Sequence, residues 1–183
     1  MYTTRAMSSG RAKRTLAYAK DVLTQESRAI AALPKRLGPS FLAALDALDA
    51  APHVVCTAIG KPGFIAQKLS ATLASTGVPS LFLHPAEAAH GDLGRVTKGD
   101  VVVALSNSGR SAEVVRLLPS LKALGATVIA LTGDALALRG RFADSTGELG
   151  PIDEACPMGL VPTASSAALH AVCDALAMTL AWR

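Results

Sequence analysis

Three segments of the chain are apolar along nearly their whole length and rich in β-branched residues: HVVCTAI (53–59), DVVVAL (100–105) and TVIALT (127–132). A strand that is apolar throughout, rather than at every second residue, is typical of a sheet that is covered on both faces. Segments of helical pattern separate these strands, and strands that alternate with helices form right-handed βαβ units. The sequence therefore predicts an α/β fold, a three-layer α-β-α sandwich around a five-stranded parallel sheet.

The remaining elements follow from the same patterns. Two further strands are expected at SLFLH (80–84) and, more weakly, at STGEL (145–149), with helices over 63–75, 112–124, 136–143 and 164–182. Before the first strand, apolar residues at helical spacing predict a long amphipathic helix over 11–37 and a shorter one over 40–50. We therefore expect N-terminal helices (1–50), packed on the core or on a partner subunit, and an α/β domain (51–183).

Composition excludes several classes of protein. No apolar run approaches the roughly 20 residues of a membrane-spanning helix, and the basic start of the chain is not followed by an apolar signal core. The three cysteines lack CxxC spacing, which favours reduced thiols over a disulfide framework or a zinc cluster. A net charge of +4 with 4% aromatic residues gives little support for nucleic acid binding. We therefore expect a cytoplasmic protein with no membrane or nucleic acid partner. Its mild positive charge suits a small anionic ligand.

Small polar residues follow the third strand in the segment SNSGRS (106–111), which we call the serine loop. Its three serine hydroxyls and one asparagine amide are neutral donors, and Gly109 lets the backbone approach a ligand closely. The next segment begins a helix, whose first N–H groups and positive dipole end point into the loop. A helix cap with additional serines is the alternative, but three hydroxyls around a glycine favour a phosphate site. The loop lacks the GxxxxGK[ST] pattern of nucleotide P-loops.

Charged residues in other loops have less specific meanings. Lys61, after the first strand, either holds an anion or is a solvated residue at a helix start. Glu113 lies in the first turn of a helix, where acids are also common for dipole reasons. Glu154 lies among small residues, where partial burial would raise its pKa and make it a usable base near neutral pH. A carboxylate in a surface turn is the alternative for Glu154.

The segment HPAEAAHGDLG (84–94) carries four titratable residues: His84, Glu87, His90 and Asp92. The two histidines lack a clear third metal ligand, so contacts with a substrate or acid–base work suit this loop better than a metal.

At these loops the chain resembles the SIS (sugar isomerase) domain and, within it, the arabinose 5-phosphate isomerases. The resemblance extends over about residues 61–182 and rests on GKPGFIAQKLSATLASTGVPS, HPAEAAHGDLG, DVVVALSNSGRSAE, ALTG and EACPMGLVPTASS. It implies a flavodoxin-like SIS fold, interconversion of D-arabinose 5-phosphate and D-ribulose 5-phosphate for synthesis of the Kdo sugar of lipopolysaccharide, and no cofactor. It also implies a homo-oligomer, a dimer or tetramer.

The resemblance also assigns residues. Phosphate-binding positions are Ser106, Asn107, Ser108 and Ser111, with further donors at Thr163 and Ser165. Positions linked to catalysis are Lys61, Glu113 and Glu154, and positions that contact substrate are Gly77, His84 and His90. No metal is required, although the counterpart of His84 can take an inhibitory zinc. For a cis-enediol mechanism we expect Glu154 as the base, Lys61 as the electrostatic stabiliser, Glu113 as a second acid–base or orienting group and His90 as a hydroxyl contact. The two glutamates are interchangeable at this stage.

Three departures from the family pattern leave alternatives open. Arg110 stands where these isomerases usually have an acid, and Pro62 replaces a small hydroxyl residue. The family continues beyond the last helix into an SHPGG-like segment with a histidine and then two CBS domains, whereas this sequence ends at Arg183. Either the sequence is part of a longer protein or the chain is naturally short. The alternatives to the isomerase are a non-catalytic sugar-phosphate-binding SIS domain and an isomerase of another sugar phosphate, such as a hexulose phosphate.

Overall fold

The structure is a computed structural model that describes residues 9–134, 137 and 142–183. Within these residues a five-stranded parallel sheet has the order β2-β1-β3-β4-β5. The strands are β1 (Val54–Thr57), β2 (Ser80–Phe82), β3 (Val101–Leu105), β4 (Thr127–Thr132) and β5 (Ser145–Glu148). Helices cover both faces of this sheet. The predicted α/β sandwich with five parallel strands is therefore confirmed.

The described helices are α1 (Ser9–Ala32), α2 (Pro39–Asp49), α3 (Lys61–Ser75), α4 (Pro85–Ala89), α5 (Ala112–Ala123) and α6 (Ala164–Trp182). The predicted helix over 11–37 is interrupted after Ala32, where a 3₁₀ turn (Leu33–Arg36) containing Pro34 follows. Proline lacks the N–H that would continue the α-helical ladder. The segment 84–94, predicted as a loop, contains α4 and a 3₁₀ turn (Asp92–Arg95). Most of the predicted helix over 136–143, and the basic start of the chain (1–8), lie outside the described residues.

Alternate residues of the strands point to two separate cores. Val54 and Cys56 of β1 join a cluster formed with α2, α3 and α6, whereas Val55 joins a cluster on the other face with α4 and α5. These strand residues are fully buried, and burial of each large aliphatic side chain stabilises the fold by about 2 kcal/mol. The sheet is thereby fixed between two layers, and the ends of its strands form a rigid platform.

Helix α6 is a core helix by its contacts. By length and composition alone, its 19 residues could span a membrane. This differs from the expectation from the sequence, in which no apolar run was long enough. Half of that window is buried inside the fold, however, and α6 packs against α1 and α3. Burial of this kind is typical of the central helix of a sandwich.

The N-terminal helices differ in how they meet the core. Helix α2 contributes Leu45 and Leu48 to the same buried cluster as α6, whereas α1 packs along α6 without burying any residue of its own. A boundary after residue 50 therefore remains a prediction, since α2 shares the core of the α/β domain.

Candidate active site

The parallel strands end at one side of the sheet, which we call the carboxyl edge. Lys61 follows β1, the serine loop follows β3, residues 133 and 134 follow β4, and the loop 149–163 follows β5. Strand β1 lies between β2 and β3, so the chain runs outward from β1 to β2 and then crosses back to β3. Such a reversal opens a crevice beyond the strand ends, and ligands of open α/β sheets bind there.

The serine loop starts inside the fold and folds back on itself. Ser106 is buried, and its Oγ lies 2.9 Å from the Oγ of Ser111 at the other end of the loop. Gly109 has a φ of +64°, a left-handed conformation that favours glycine, and its N–H donates to the carbonyl of Ser106 at 3.0 Å. Asn107 is partly exposed and Ser108 is exposed. The loop thus presents hydroxyls, an amide and backbone N–H groups beyond the end of β3.

Helix α5 starts directly after this loop without a side-chain cap. Ser111 occupies the N-cap position, but its hydroxyl pairs with Ser106 and not with a first-turn N–H. The first N–H groups of a helix have no partner within the helix, and with the helix dipole they attract an anion. The alternative interpretation of SNSGRS as a helix cap with additional serines is therefore disfavoured, and an anion site fits the geometry.

Lys61 is the first residue of α3 and follows Gly60, whose φ is +67°, in the turn after β1. Its side chain is exposed. Because β1 and β3 are neighbours in the sheet, Lys61 and the serine loop follow adjacent strand ends. Lys61 therefore lies at the same edge of the sheet as the serine loop.

The carboxylate of Glu154, in the loop between β5 and α6, is held by the start of α6. Its Oε2 accepts the backbone N–H of Thr163 at 2.7 Å, the Thr163 hydroxyl at 3.0 Å and the N–H of Ser165 at 3.3 Å. The hydroxyl of Thr163 also accepts the N–H of Ala155 at 2.8 Å. Thr163 and Ser165, which the family resemblance places on the phosphate, thus donate to Glu154 here.

These hydrogen bonds reverse the expected direction of the pKa of Glu154. Partial burial raises the pKa, but the hydrogen bonds from Ser165 and Thr163 favour the carboxylate and together outweigh burial, so the pKa lies below its ordinary value. The prediction that burial raises this pKa toward neutrality is therefore wrong. Glu154 is a carboxylate at neutral pH, able to accept a proton but with a reduced affinity for it.

His84, His90 and Glu113 lie on the α4–α5 side of the sheet. The Nδ1 of His84 accepts the N–H of Ala86 at 3.3 Å and so caps α4, and His90 is exposed at the other end of that helix. Glu113, exposed in the first turn of α5, lines a cleft of about 200 Å³ between α4 and α5. Across residues 9–134, 137 and 142–183, no three histidine, cysteine or acidic side chains cluster as metal ligands do.

Gly77 is not brought to the other site residues within one chain. It lies in the turn between α3 and β2, before the strand begins, at the edge opposite the serine loop. The 15 residues of α3 separate this turn from Lys61, a length of roughly 22 Å at about 1.5 Å per residue.

Arg110 is directed toward the turn after β4. Its Nη2 lies 3.1 Å from Oδ2 of Asp134, and its side chain is 77% exposed. The large charge in the serine loop therefore has a carboxylate partner within the chain. Exposed pairs of this kind contribute little to stability.

A cavity of about 440 Å³ lies beside the Glu154 loop, between α1 and the residues that follow β5. Its charged lining includes Asp21, Arg28, Arg36 and Asp153, and none of the predicted site residues. The candidate site is the serine loop, because that loop lies at the reversal of strand order and combines converging hydroxyls with a helix that has no side-chain cap.

Two sets of residues at the site were not predicted. Tyr18 of α1 donates its hydroxyl to the carbonyl of Ala155 at 2.7 Å, next to Glu154. Thr132 and Gly133, at the end of β4, both contact the carbonyl of Asn107, at 3.3 Å and 2.9 Å. The segment TGD marks a loop after the fourth strand, but threonine and glycine are common in any turn. No local pattern marks Tyr18.

The sequence matches a known family model over most of its length. The model described as the SIS domain covers residues 47–179. Among curated relatives, the arabinose 5-phosphate isomerase KdsD of Pseudomonas aeruginosa is 46% identical over 156 residues, which are 85% of this chain and 48% of that protein. KdsD of Escherichia coli K12 is 44% identical over 162 residues, 88% of this chain and 49% of that protein. The chain spans about half the length of these relatives.

A solved structure matches nearly the whole chain. The protein c3406 of Escherichia coli CFT073, solved in complex with arabinose 5-phosphate, superposes with a TM-score of 0.87 at 36% identity, covering 96% of this chain and 93% of that chain. The strand order, the loops at the carboxyl edge and both comparisons agree, and this chain belongs to the SIS domain family.

Proposed function

We propose that this chain is the isomerase domain of a phosphosugar aldose–ketose isomerase that interconverts D-arabinose 5-phosphate and D-ribulose 5-phosphate. The observation that carries the proposal is the pairing of Ser106 Oγ with Ser111 Oγ at 2.9 Å, which leaves the N-terminus of α5 without a side-chain cap. A phosphate accepts hydrogen bonds from such converging hydroxyls and N–H groups. Similarity to two arabinose 5-phosphate isomerases supports the choice of sugar.

The reaction removes the proton from C2 of the aldose, delivers a proton to C1 and moves a proton between the two oxygens through a cis-enediol. It requires a base, a proton shuttle and a positive charge near the enediolate oxygen, and no cofactor. Lys61 supplies the positive charge from the turn beside the serine loop. In this proposal His90 contacts a sugar hydroxyl and His84 contacts the substrate. The reaction requires no metal, although His84 is the candidate ligand of an inhibitory zinc.

Glu154 and Glu113 share the proton transfers. Glu154 is ionised and ready to accept a proton, although the donors at the start of α6 weaken its basicity. Glu113 is exposed in the first turn of α5, two residues after the serine loop. Incubation of D-ribulose 5-phosphate in D₂O with Glu154→Gln and Glu113→Gln distinguishes them, because loss of the base abolishes exchange of the C1 proton, whereas loss of the shuttle slows isomerisation while that exchange continues.

A non-catalytic sugar-phosphate-binding domain is the second candidate. It is favoured by one observation, the hydrogen bonds of Glu154 to Thr163 and Ser165, which give this carboxylate a role in capping α6 without any chemistry. Incubation with D-arabinose 5-phosphate, followed by ³¹P NMR, separates the two candidates. Conversion to D-ribulose 5-phosphate supports the isomerase. Binding of the sugar phosphate without conversion supports the second candidate.

We also propose that the chain forms a homo-oligomer, a dimer or tetramer, through its N-terminal helices. On α1, Leu16, Leu23 and Ile30 recur every seven residues and are 63%, 67% and 40% exposed. A seven-residue repeat of this kind is the pattern of helices that pair along a seam. A second copy is also required if Gly77 contacts substrate, because Gly77 lies at the opposite edge from the serine loop of its own chain.

A cytoplasmic location fits the cysteines. Burial raises the pKa of Cys56 to about 12, with a smaller opposing effect of the hydrogen bond with Ser80. Burial likewise raises the pKa of Cys173. All three cysteines are free thiols, and two of them are packed as small apolar residues in the core.

A further inference from the structure

Thr132, Gly133 and Asp134, which we call the β4 turn, lie directly against the serine loop. The N–H of Ser106 donates to the carbonyl of Leu131 at 3.1 Å, and the N–H of Gly133 donates to the carbonyl of Asn107 at 2.9 Å. These two bonds continue the β3–β4 ladder beyond the last paired residues of the strands. The first two residues of the serine loop are therefore tied to the end of β4 and to the residue that follows it.

The hydroxyl of Thr132 adds a buried connection at the same place. Thr132 is fully buried, and its Oγ1 lies 3.3 Å from the carbonyl oxygens of both Asn107 and Asp134. The same oxygen accepts the N–H of Asp134 at 3.2 Å. Removing this hydroxyl leaves the N–H of Asp134 without that acceptor, and it leaves the carbonyl of Asn107 without that donor.

Gly133 allows the close approach. A Cβ at Gly133 would lie 2.7 Å from Oδ1 of Asn107 and 3.0 Å from its carbonyl oxygen. On the other side of the same contact, a Cβ at Gly109 of the serine loop would lie 3.3 Å from Oγ1 of Thr132. The loop and the β4 turn thus fit together only because each carries a glycine at the point of contact.

We propose that Thr132 and Gly133 are positioning residues for the sugar phosphate. They hold the backbone of Asn107, and with it the hydroxyls of Ser106 and Ser111, in a binding geometry before the ligand arrives. A loop that is already ordered loses less conformational entropy when it binds a phosphate. The inference rests on the proposed function, since it assumes that the serine loop holds the phosphate.

The test compares Thr132→Val with Thr57→Val. Thr57 is also the last residue of a strand, is fully buried, and donates its hydroxyl to the carbonyl of Leu83 at 2.7 Å, away from the serine loop. Calorimetry with inorganic phosphate and with D-arabinose 5-phosphate measures affinity. Amide hydrogen exchange of residues 106–111 in the free protein measures the loop itself.

Thr132→Val is expected to weaken both affinities about tenfold, to raise KM more than it lowers kcat, and to speed exchange in the serine loop. Thr132→Ser, which keeps the hydroxyl, restores all three. Thr57→Val leaves phosphate affinity and loop exchange unchanged. Should Thr132→Val fail to fold, Gly133→Ala carries the same expectation, because its Cβ displaces Asn107.

Equal phosphate affinity and equal loop exchange in the two valine variants would overturn the inference. A wild-type chain that binds neither phosphate nor the sugar phosphate would overturn the proposed function instead. In that case faster loop exchange in Thr132→Val would still support the contact between the β4 turn and the loop.

Discussion

The carboxylate of Glu154 accepts the backbone N–H of Thr163 at 2.7 Å, so a side chain expected to act on substrate also caps helix α6. Helices α5 and α6 therefore differ at their N-termini. The N-terminus of α6 is occupied by a carboxylate of the chain itself, whereas α5 begins without a side-chain cap. An anionic ligand is consequently favoured at α5, next to the serine loop.

The first prediction concerns the pH dependence of stability. The folded-state pKa of Glu154 is lowered, so its contribution to stability is present above its ordinary value of 4.5 and is lost as the pH falls through the lower folded-state value. Glu154→Gln is expected to lower the free energy of unfolding by about 1 kcal/mol at neutral pH, the typical value of a helix cap. Urea unfolding from pH 7 to below 4.5 should show the difference from wild type shrinking in the acidic range.

Glu113→Gln is the matched control, because Glu113 is an exposed acid in the first turn of α5. Its difference from wild type at neutral pH should stay smaller than that of Glu154→Gln. A gap between Glu154→Gln and wild type that persists or widens toward acid would contradict the role of the carboxylate at α6.

The second prediction tests the hydroxyls of the serine loop. Ser106→Ala and Ser111→Ala each remove one member of the pair at 2.9 Å. A hydrogen bond to a charged group contributes about 1.5–3 kcal/mol, so each change should weaken phosphate binding roughly ten- to hundredfold. Titration with inorganic phosphate measures this. Ser75→Ala is the control, because the hydroxyl of Ser75 donates to the carbonyl of Ala71 in its own helix, and this variant should bind phosphate as the wild type does. An unchanged phosphate affinity in Ser106→Ala would refute the phosphate site.

The third prediction concerns Tyr18, which connects α1 to the loop that carries Glu154. Tyr18→Phe keeps the ring and removes the hydrogen bond to Ala155, so we expect a loss of about 1 kcal/mol in unfolding free energy. Amide exchange in residues 155–163 should become faster. Thr24→Val, which removes a hydroxyl bonded within α1 to Lys20, is the control. If both variants leave that loop equally protected, the connection has no part in ordering it.

The fourth prediction concerns the exposed side of α1. Leu23→Glu places a charge on the seven-residue repeat and should shift the mass measured by light scattering toward the monomer. Leu124→Glu, at a leucine that is 38% exposed at the end of α5, should leave the mass unchanged. A wild-type chain that is monomeric at high concentration would remove the basis for a site shared between copies.

The sequence was sufficient for the fold and for the place of the serine loop. Fully apolar strands alternating with helices determine a parallel sheet, and a parallel sheet brings the residues that follow its strands to one edge. The order of strands and helices along the chain was therefore enough to predict that Lys61 and Ser106 lie at the same edge of the sheet. The prediction of one helix over 11–37 is wrong beyond Ala32, because the apolar repeat continues past Pro34, which lacks the N–H that an α-helical ladder needs.

The pKa of Glu154 could not be predicted, because it depends on where the loop 149–163 meets α6. Local composition indicated partial burial, but the three donors come from Thr163 and Ser165, nine and eleven residues further along the chain. The contact of Tyr18 with Ala155 joins residues that are 137 positions apart. Contacts of this kind depend on packing between elements, for which a single sequence contains no local pattern.

The central claim is that the serine loop holds the phosphate of a sugar whose isomerisation this chain catalyses. The most direct measurement is ³¹P NMR of D-arabinose 5-phosphate incubated with the purified chain, beside the Ser106→Ala variant. We predict conversion to D-ribulose 5-phosphate by the wild-type chain and a strongly reduced rate with the variant. Absence of conversion by a folded wild-type chain that binds the sugar phosphate would contradict the claim.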